Sequence, residues 1–217
     1  MKKLLIGAAL AASMLAAAPA ANAAVLVNGS FEEGTNPGSF LTLGNGNTDI
    51  TGWTVGGNGI DYIGTYWKAS QGVRSLDLAA LDQGGVSQTF ATIVGREYVV
   101  SFDLAGNPDG GLNQKAMVTS AGLGQLPALF TFDVGPGNTH DDMGWQSFTY
   151  KFTAQSTSST LNFSSLTRGP YGPALDNVGV TLSAVPEPAT WAMMIIGFTG
   201  AGVAIRRRRR DDSVSFA

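Results

Sequence analysis

The sequence predicts an all-β protein, an antiparallel two-sheet β-sandwich of jelly-roll type, followed by a single hydrophobic helix near the C-terminus. Three observations lead to this prediction. Apolar residues recur at every second position in short segments, which is the periodicity of strands. Clusters of Gly, Asn, Pro and Asp separate these segments and reverse the chain. The 217 residues include 29 Gly and only 13% charged residues, a balance typical of loop-rich β proteins.

Nine segments show the strand periodicity, and no segment between residues 24 and 185 shows a convincing helical period. In chain order, the alternating apolar residues are Ile60/Tyr62, Leu76/Leu78, Val86/Phe90, Tyr98/Val100/Phe102/Leu104, Ala116/Val118, Phe130/Phe132/Val134, Phe148/Tyr150/Phe152, Leu161/Phe163 and Val178/Val180/Leu182. Eight or nine short strands in one domain favour a sandwich, with a closed barrel as the alternative.

The N-terminus has the pattern of a secretory signal peptide. Lys2 and Lys3 precede an apolar block at residues 4–18, and Ala21-Asn22-Ala23 forms a small-x-small cleavage site. We therefore expect residues 1–23 to be removed and the mature chain to begin near Ala24.

The C-terminus combines a short apolar segment with a cluster of arginines. Residues 191–205 carry no charge, but as a helix they reach only about 22 Å, against a bilayer core of about 30 Å. Arg206–Arg210 resist translocation and keep that end in the cytoplasm, which places the preceding domain outside the membrane. Pro186 and Pro188 favour an extended backbone that a protease can bind.

This C-terminal pattern closely resembles the PEP-CTERM sorting signal of the PEPxxWAMM type. The matching residues are Pro186, Glu187, Pro188, Trp191 and the cluster that begins with Arg206, Arg207 and Arg208. The resemblance implies recognition by an exosortase, a membrane protease-transpeptidase of Gram-negative bacteria that produce exopolysaccharide. The chain would be anchored briefly in the inner membrane with its ectodomain in the periplasm, and then reach the cell surface or extracellular matrix. An uncleaved single-pass anchor is the alternative.

The predicted organisation is thus a signal peptide at 1–23, an ectodomain at 24–185, a sorting signal at 186–210 and a cytoplasmic tail at 211–217. The ectodomain contains six Lys and Arg against thirteen Asp and Glu, a formal charge of −7. That sign disfavours nucleic acid as a partner. The chain has no cysteine, which excludes disulfides, thiolate metal ligands and cysteine nucleophiles.

The ectodomain resembles the choice-of-anchor C family over roughly residues 25–182. The blocks that carry the resemblance include Val27-Asn28-Gly29-Ser30-Phe31-Glu32, Thr51-Gly52-Trp53, Phe102-Asp103-Leu104-Ala105-Gly106-Asn107-Pro108 and Leu175-Asp176-Asn177-Val178. That family is similar to plant cell-wall proteins of unassigned function, and both have the galactose-binding-like jelly roll. The same fold occurs in many carbohydrate-binding modules.

The resemblance also implies a candidate site for a structural calcium ion at Glu32 and Asp176. Calcium takes six to eight oxygen ligands, which two carboxylates, backbone carbonyls and water can supply. The alternative role for both carboxylates is to accept backbone hydrogen bonds.

Aromatic residues near polar groups are the candidates for carbohydrate binding, because their faces pack on the C–H surfaces of sugars. We assign Tyr62, Tyr66, Trp67 and Trp145 to this role, with an exopolysaccharide or other envelope glycan as the partner. Trp53 is expected in the core.

The sequence gives little support for catalysis. His140, the only histidine, lies in an Asn- and Asp-rich loop without a nucleophile motif and is expected to be solvated. We therefore predict a non-enzymatic protein that binds carbohydrate. A structural or adhesive surface protein that contacts other proteins is the alternative, followed by a polysaccharide hydrolase.

Overall fold

A computed structural model of the chain describes residues 26–111 and 113–183 and, near the C-terminus, residues 192, 195–199, 202 and 206. The predicted signal peptide lies outside the described residues, as do Pro186, Glu187, Pro188, Trp191, Arg207 and Arg208 of the predicted sorting signal. The described positions beyond 190 are helical. Within the described part of the chain, no helix has the length and apolar character needed to cross a membrane.

The described residues form eleven strands. They are β1 (Phe40–Leu43), β2 (Thr54–Gly57), β3 (Ile60–Ile63), β4 (Ser75–Asp77), β5 (Gly84–Ala91), β6 (Glu97–Gly106), β7 (Gln114–Ala121), β8 (Ala128–Asp133), β9 (Gln146–Thr153), β10 (Ser158–Ser165) and β11 (Pro173–Leu182). A six-stranded sheet has the order β1-β3-β4-β11-β6-β9, and a five-stranded sheet has the order β2-β5-β10-β7-β8. All neighbouring strands are antiparallel. The predicted two-sheet sandwich is therefore confirmed, and both sheets are open, unlike the closed barrel that was the alternative.

The two sheets enclose one apolar core whose buried members all lie between residues 31 and 180. Alternation along each strand sends every second side chain into this core. Trp53 is 1% exposed, and its ring lies 5.2 Å from Phe31 and 6.4 Å from Phe163. Its indole Nε1 donates a hydrogen bond to the carbonyl of Asn28. The expectation that Trp53 belongs to the core is correct, and the described residues of the domain share one core.

The structure differs from the predicted pattern in two places. Strands β1 and β2 were not predicted, because each has four residues and contributes only one fully buried apolar side chain, Leu43 and Val55 respectively. In β7 the apolar pair Ala116/Val118 is half-exposed, and the buried face begins instead with Lys115 and Met117. Periodicity of apolar residues selected the wrong face of β7, since a buried lysine interrupts the pattern.

Trp53 is buried against two aromatic rings, so its loss should be costly. Trp53→Ala should lower the free energy of unfolding by about 3–5 kcal/mol, because the substitution removes a large buried ring and leaves a cavity. Leu81→Ala is the control, since Leu81 is 80% exposed and its substitution should change the free energy by less than about 0.5 kcal/mol. Urea titration of residues 24–183 measures both. Equal, small effects would contradict the assignment of Trp53 to the core.

Candidate functional site

Four aspartates lie on the outer face of the six-stranded sheet. In the strand register, Asp61 is opposite Asp77 and Asp103 is opposite Asp176. Their neighbours in sequence, such as Tyr62, Leu76, Phe102 and Leu175, point into the core. Because side chains alternate along a strand, the aspartates point away from the core. Asp77, Asp103 and Asp176 are nevertheless buried, since loops cover this face.

The covering loops are the β3–β4 loop (residues 64–74), the β6–β7 loop (residues 107–113, of which 112 is not described) and the β8–β9 loop (residues 134–145). We call these three loops the cap. Each of them contacts a carboxylate or another loop of the cap through hydrogen bonds. The cap therefore depends on the carboxylates beneath and within it.

Asp103 and Asp176 hold the β3–β4 loop. Asp103 accepts hydrogen bonds from the hydroxyls of Ser70 and Ser147, both at 2.6 Å, and from the Asn177 side-chain amide at 2.9 Å. Burial acts to raise the pKa of Asp103, but these three hydrogen bonds outweigh it and hold the pKa below its usual value. Asp176 accepts the backbone N–H of Gln71 at 2.8 Å. For Asp176 burial prevails and raises the pKa to about 7.

Glu32 holds the end of the same loop. Its Oε1 accepts the backbone N–H groups of Val73 and Arg74 at 2.8 and 2.9 Å. Gly72 has a φ of +67°, and a Cβ there would lie 2.2 Å from Glu32 Oε1. Glycine is therefore required for this carboxylate to approach the loop.

Asp77 joins the β6–β7 loop to the segment before β11. Its Oδ2 accepts the side-chain amide of Asn107 at 2.7 Å, and its Oδ1 accepts the backbone N–H of Gly172 at 3.0 Å. Burial raises the pKa of Asp77 to about 8 against the lowering effect of the Asn107 hydrogen bond. On the inner side, the buried Lys115 donates to the carbonyl of Tyr171 at 2.8 Å, and burial lowers the pKa of this lysine.

Tyr66, Asp109 and His140 connect all three loops of the cap. Tyr66 donates its hydroxyl to Asp109 Oδ2 at 2.6 Å, and His140 Nε2 lies 3.0 Å from Asp109 Oδ1. The Tyr66 and His140 rings are 4.6 Å apart between centroids. The hydrogen bond to Asp109 is the main cause that raises the pKa of Tyr66 to about 12. Tyr66 therefore remains a neutral phenol that links the loops.

The β8–β9 loop is shaped by Asn138. Its Oδ1 accepts the backbone N–H of Gly135 at 2.7 Å, and its Nδ2 donates to the carbonyl of Met143 at 3.0 Å. Gly144 has a φ of +68°, where a Cβ would lie 2.3 Å from Asn138 Nδ2. The glycine lets the chain turn sharply and deliver Trp145 beside the β3–β4 loop.

Trp145 lines a groove between two loops of the cap. The groove has a volume of about 430 Å³ and is lined by Lys68, Ala69, Ser70, Asp141, Asp142, Met143 and Trp145. The half-buried Trp145 donates its Nε1–H to the carbonyl of Lys68 at 3.0 Å. The backbone N–H of Lys68 donates to the carbonyl of His140 at 2.8 Å. Hydrogen bonds thus fix both walls of the groove and the ring between them.

The four aromatic residues assigned to carbohydrate binding occupy different environments. Tyr62 is 0% exposed and Trp67 is 4% exposed, and both donate hydrogen bonds, to the carbonyl of Phe31 and the hydroxyl of Ser75. Their assignment to a binding surface is corrected here, because both rings belong to the core. Tyr66 is half-buried and links the loops of the cap. Only Trp145 of the four lines the groove.

Sequence reasoning missed the role of two residues. His140 was expected to be solvated, but it contacts Asp109 and Tyr66. Asp109 was not singled out. The sequence Asn107-Pro108-Asp109 could have indicated its role, because it is typical of a capped turn. In the structure the Asn107 side chain caps a short 3₁₀ turn by accepting the backbone N–H of Asp109 at 2.9 Å. That turn fixes where the carboxylate of Asp109 is presented.

Together, fold and site define a β-sandwich domain with a loop cap and an aromatic-lined groove on one sheet. The chain belongs to the family described as "Protein of unknown function (DUF642)", whose model matches residues 24–181. The PEP-CTERM protein-sorting motif matches residues 184–209. Both predicted resemblances are confirmed. The sorting motif identifies the chain as a surface protein targeted to an exosortase.

The chain is 32% identical over 166 residues to halomucin of Haloquadratum walsbyi (strain DSM 16790 / HBSQ001), a match that covers 73% of this chain and 2% of halomucin. Among solved structures it is similar to TmCBM61 in complex with β-1,4-galactotriose, with 18% identity, a TM-score of 0.43 and coverage of 73% of this chain and 97% of that chain. It is also similar to CBM35 from Paenibacillus barcinonensis, with 17% identity, a TM-score of 0.44 and coverage of 67% and 100%.

Burial of Asp176 predicts a dependence of stability on pH. Its pKa rises from 3.8 to about 7 on folding, so the folded state binds the proton more tightly than the unfolded state. The stability from this proton is complete below about pH 4 and is lost as pH rises towards 7. Asp176→Asn should therefore reduce the fall in the free energy of unfolding between these values, as measured by urea titration at a series of pH values. The prediction would be contradicted if the free energy of unfolding changed equally with pH in the two proteins.

Calcium binding at Glu32 and Asp176 remains a prediction. Both carboxylates accept backbone hydrogen bonds, and within residues 26–111 and 113–183 no three His, Asp or Glu side chains form a metal-binding group. If calcium binds with further backbone and water oxygens, it should raise the melting temperature above that measured with a chelator. Glu32→Gln should abolish the difference. An unchanged melting temperature would leave both carboxylates as hydrogen-bond acceptors alone.

Proposed function

We propose that this protein is a non-catalytic carbohydrate-binding protein of the cell surface or extracellular matrix, and that its groove binds an exopolysaccharide through Trp145. The observation that carries the proposal is the fixed Trp145 ring in a groove bordered by hydrogen-bonding side chains. A sugar offers an apolar C–H face for the ring and hydroxyls for the polar groups around it.

The polar groups of the groove suit this role. The carboxylates of Asp141 and Asp142 are exposed and accept hydrogen bonds from sugar hydroxyls, and the ammonium of Lys68 donates. Because hydrogen bonds fix the two loops of the groove and the Trp145 ring before a sugar binds, little conformational entropy is lost on association.

Charge favours a neutral glycan over an acidic one. Asp141 and Asp142 provide two negative charges against the single positive charge of Lys68 among the residues that line the groove. Uronic acids would meet like charge at this wall, which costs binding energy. We therefore expect neutral polysaccharides to bind more tightly than polyuronates.

The arrangement of carboxylates supports binding rather than hydrolysis. Asp77, Asp103 and Asp176 are buried and accept hydrogen bonds that hold the cap. Asp109 pairs with His140 and Tyr66. A glycosidase needs two carboxyl groups that flank one bond of the substrate, whereas these four groups are engaged in holding loops. The remaining carboxylates of the groove, Asp141 and Asp142, are adjacent in sequence on one wall.

The sorting motif supports the proposed location. Export followed by exosortase processing would place residues 24–185 outside the inner membrane, where the domain meets the polysaccharide of its own cell. The inner membrane would hold the precursor only until processing.

Trp145→Ala tests the proposed groove directly. Retention on exopolysaccharide isolated from the producing cells, and binding on a glycan array, should fall at least about tenfold, equivalent to about 1.4 kcal/mol. Trp145→Phe should retain part of the affinity, because it keeps an aromatic face but loses the hydrogen bond to Lys68.

Val94→Ala is the matched control, since Val94 is 58% exposed on the β5–β6 turn, at the far end of β6 from the cap. This variant should bind as the wild type does. If Trp145→Ala bound as the wild type does and kept its melting temperature, the proposal for this groove would be contradicted. Turnover of the polysaccharide by the purified domain would contradict the non-catalytic role.

A further inference from the structure

The four edge strands of the sandwich differ in how they are protected. Unpaired backbone groups at a sheet edge can pair with another chain, and proteins block this with very short edge strands or with charged residues, especially lysine. In the described part of the chain the edges are β1 and β9 in one sheet and β2 and β8 in the other. Strands β1 and β2 have only four residues each. Strand β9 carries Lys151, whose ammonium lies 3.2 Å from Glu97.

Strand β8 has none of these protections. It is six residues long, and its single charged residue, Asp133, is the last. Asp133 accepts a hydrogen bond from Gln114 at 2.9 Å and so is directed towards β7. Leu129 is 61% exposed. On the inner side, Phe130 packs at 5.0 Å from Phe102 and 5.6 Å from Phe148, which holds the edge rigid.

We propose that β8 pairs with β8 of a second copy of this chain, which joins two five-stranded sheets into one continuous antiparallel sheet. A two-fold axis centred on Thr131 pairs outward-facing residues with outward-facing residues, as a continuous sheet requires. It places the two Thr131 side chains opposite each other, a favourable cross-strand pair. Leu129 then lies opposite Asp133 of the second copy.

The charges on β8 are compatible with this self-pairing. In an antiparallel pair centred on Thr131, the two Asp133 residues lie at opposite ends, about four residues or roughly 13 Å apart along the strands. That exceeds the screening length of roughly 8–10 Å at ordinary ionic strength. No like charges therefore oppose each other across the pair. The inference does not depend on carbohydrate binding, although a dimer would present two grooves and bind a polymer with higher avidity.

The absence of cysteine from the natural chain permits a direct test in full-length protein. Thr131→Cys is treated in producing cells with a short reagent that bridges two thiols. We expect a covalent dimer of this chain, because the two thiols lie directly opposite each other across the pair. Thr160→Cys is the control, since Thr160 is exposed on β10 in the interior of the same sheet and should yield little dimer.

Sedimentation of residues 24–183, which contain the whole core, provides a second measurement. The wild type should change from monomer to dimer as concentration rises. Leu129→Glu should remain a monomer, because its carboxylate would face the like charge of Asp133 of the second copy, and its melting temperature should be unchanged, because Leu129 is exposed. A wild type that stays monomeric throughout would overturn the inference. So would Thr131→Cys chains that dimerise no more than Thr160→Cys chains, or that crosslink only to a different protein.

Discussion

Carboxylates that accept hydrogen bonds from loops are the interaction on which the rest of this structure depends. Asp103, Asp176 and Glu32 hold residues 70–74, Asp77 holds the segment around Asn107, and Asp109 joins Tyr66 to His140. The lowered pKa of Asp103 keeps it ionised, and a charge-assisted hydrogen bond is roughly twice as strong as a neutral one. Three loops are thereby fixed over one face of the six-stranded sheet, and two of them form the walls of the groove.

This construction has an energetic cost. Burial raises the pKa of Asp77 to about 8 and that of Asp176 to about 7, which shows that their hydrogen bonds only partly replace lost hydration. For Asp103, three side-chain hydrogen-bond donors replace the hydration lost on burial, and its pKa is lowered. The cap therefore combines one well-satisfied carboxylate with two that favour protonation. Rigid placement of Trp145 is gained at the expense of stability near neutral pH.

Sequence patterns predicted the sandwich because its central strands alternate regularly and are separated by turn residues. They failed where local pattern and tertiary environment disagree. The Gly-flanked segment around Tyr66 and Trp67 predicts an exposed aromatic loop. In the structure this loop folds back on the sheet and buries Trp67. A lysine is expected to face solvent, yet Lys115 is buried, and its ammonium donates a hydrogen bond to the carbonyl of Tyr171. The pairing of Asp109 with His140 joins residues 31 positions apart, and no local spacing encodes such a contact.

Because the groove depends on carboxylates of the sheet beneath it, the exchange of backbone amide hydrogens in an Asp103→Asn variant is the most direct test. This substitution keeps the shape of the side chain but removes the charge that Ser70, Ser147 and Asn177 share. Exchange should accelerate in residues 68–74 and 138–145, while β5 and β10 of the opposite sheet keep their protection. Unchanged exchange in the cap, or a uniform increase across both sheets, would contradict the claim that the carboxylates hold the groove in place.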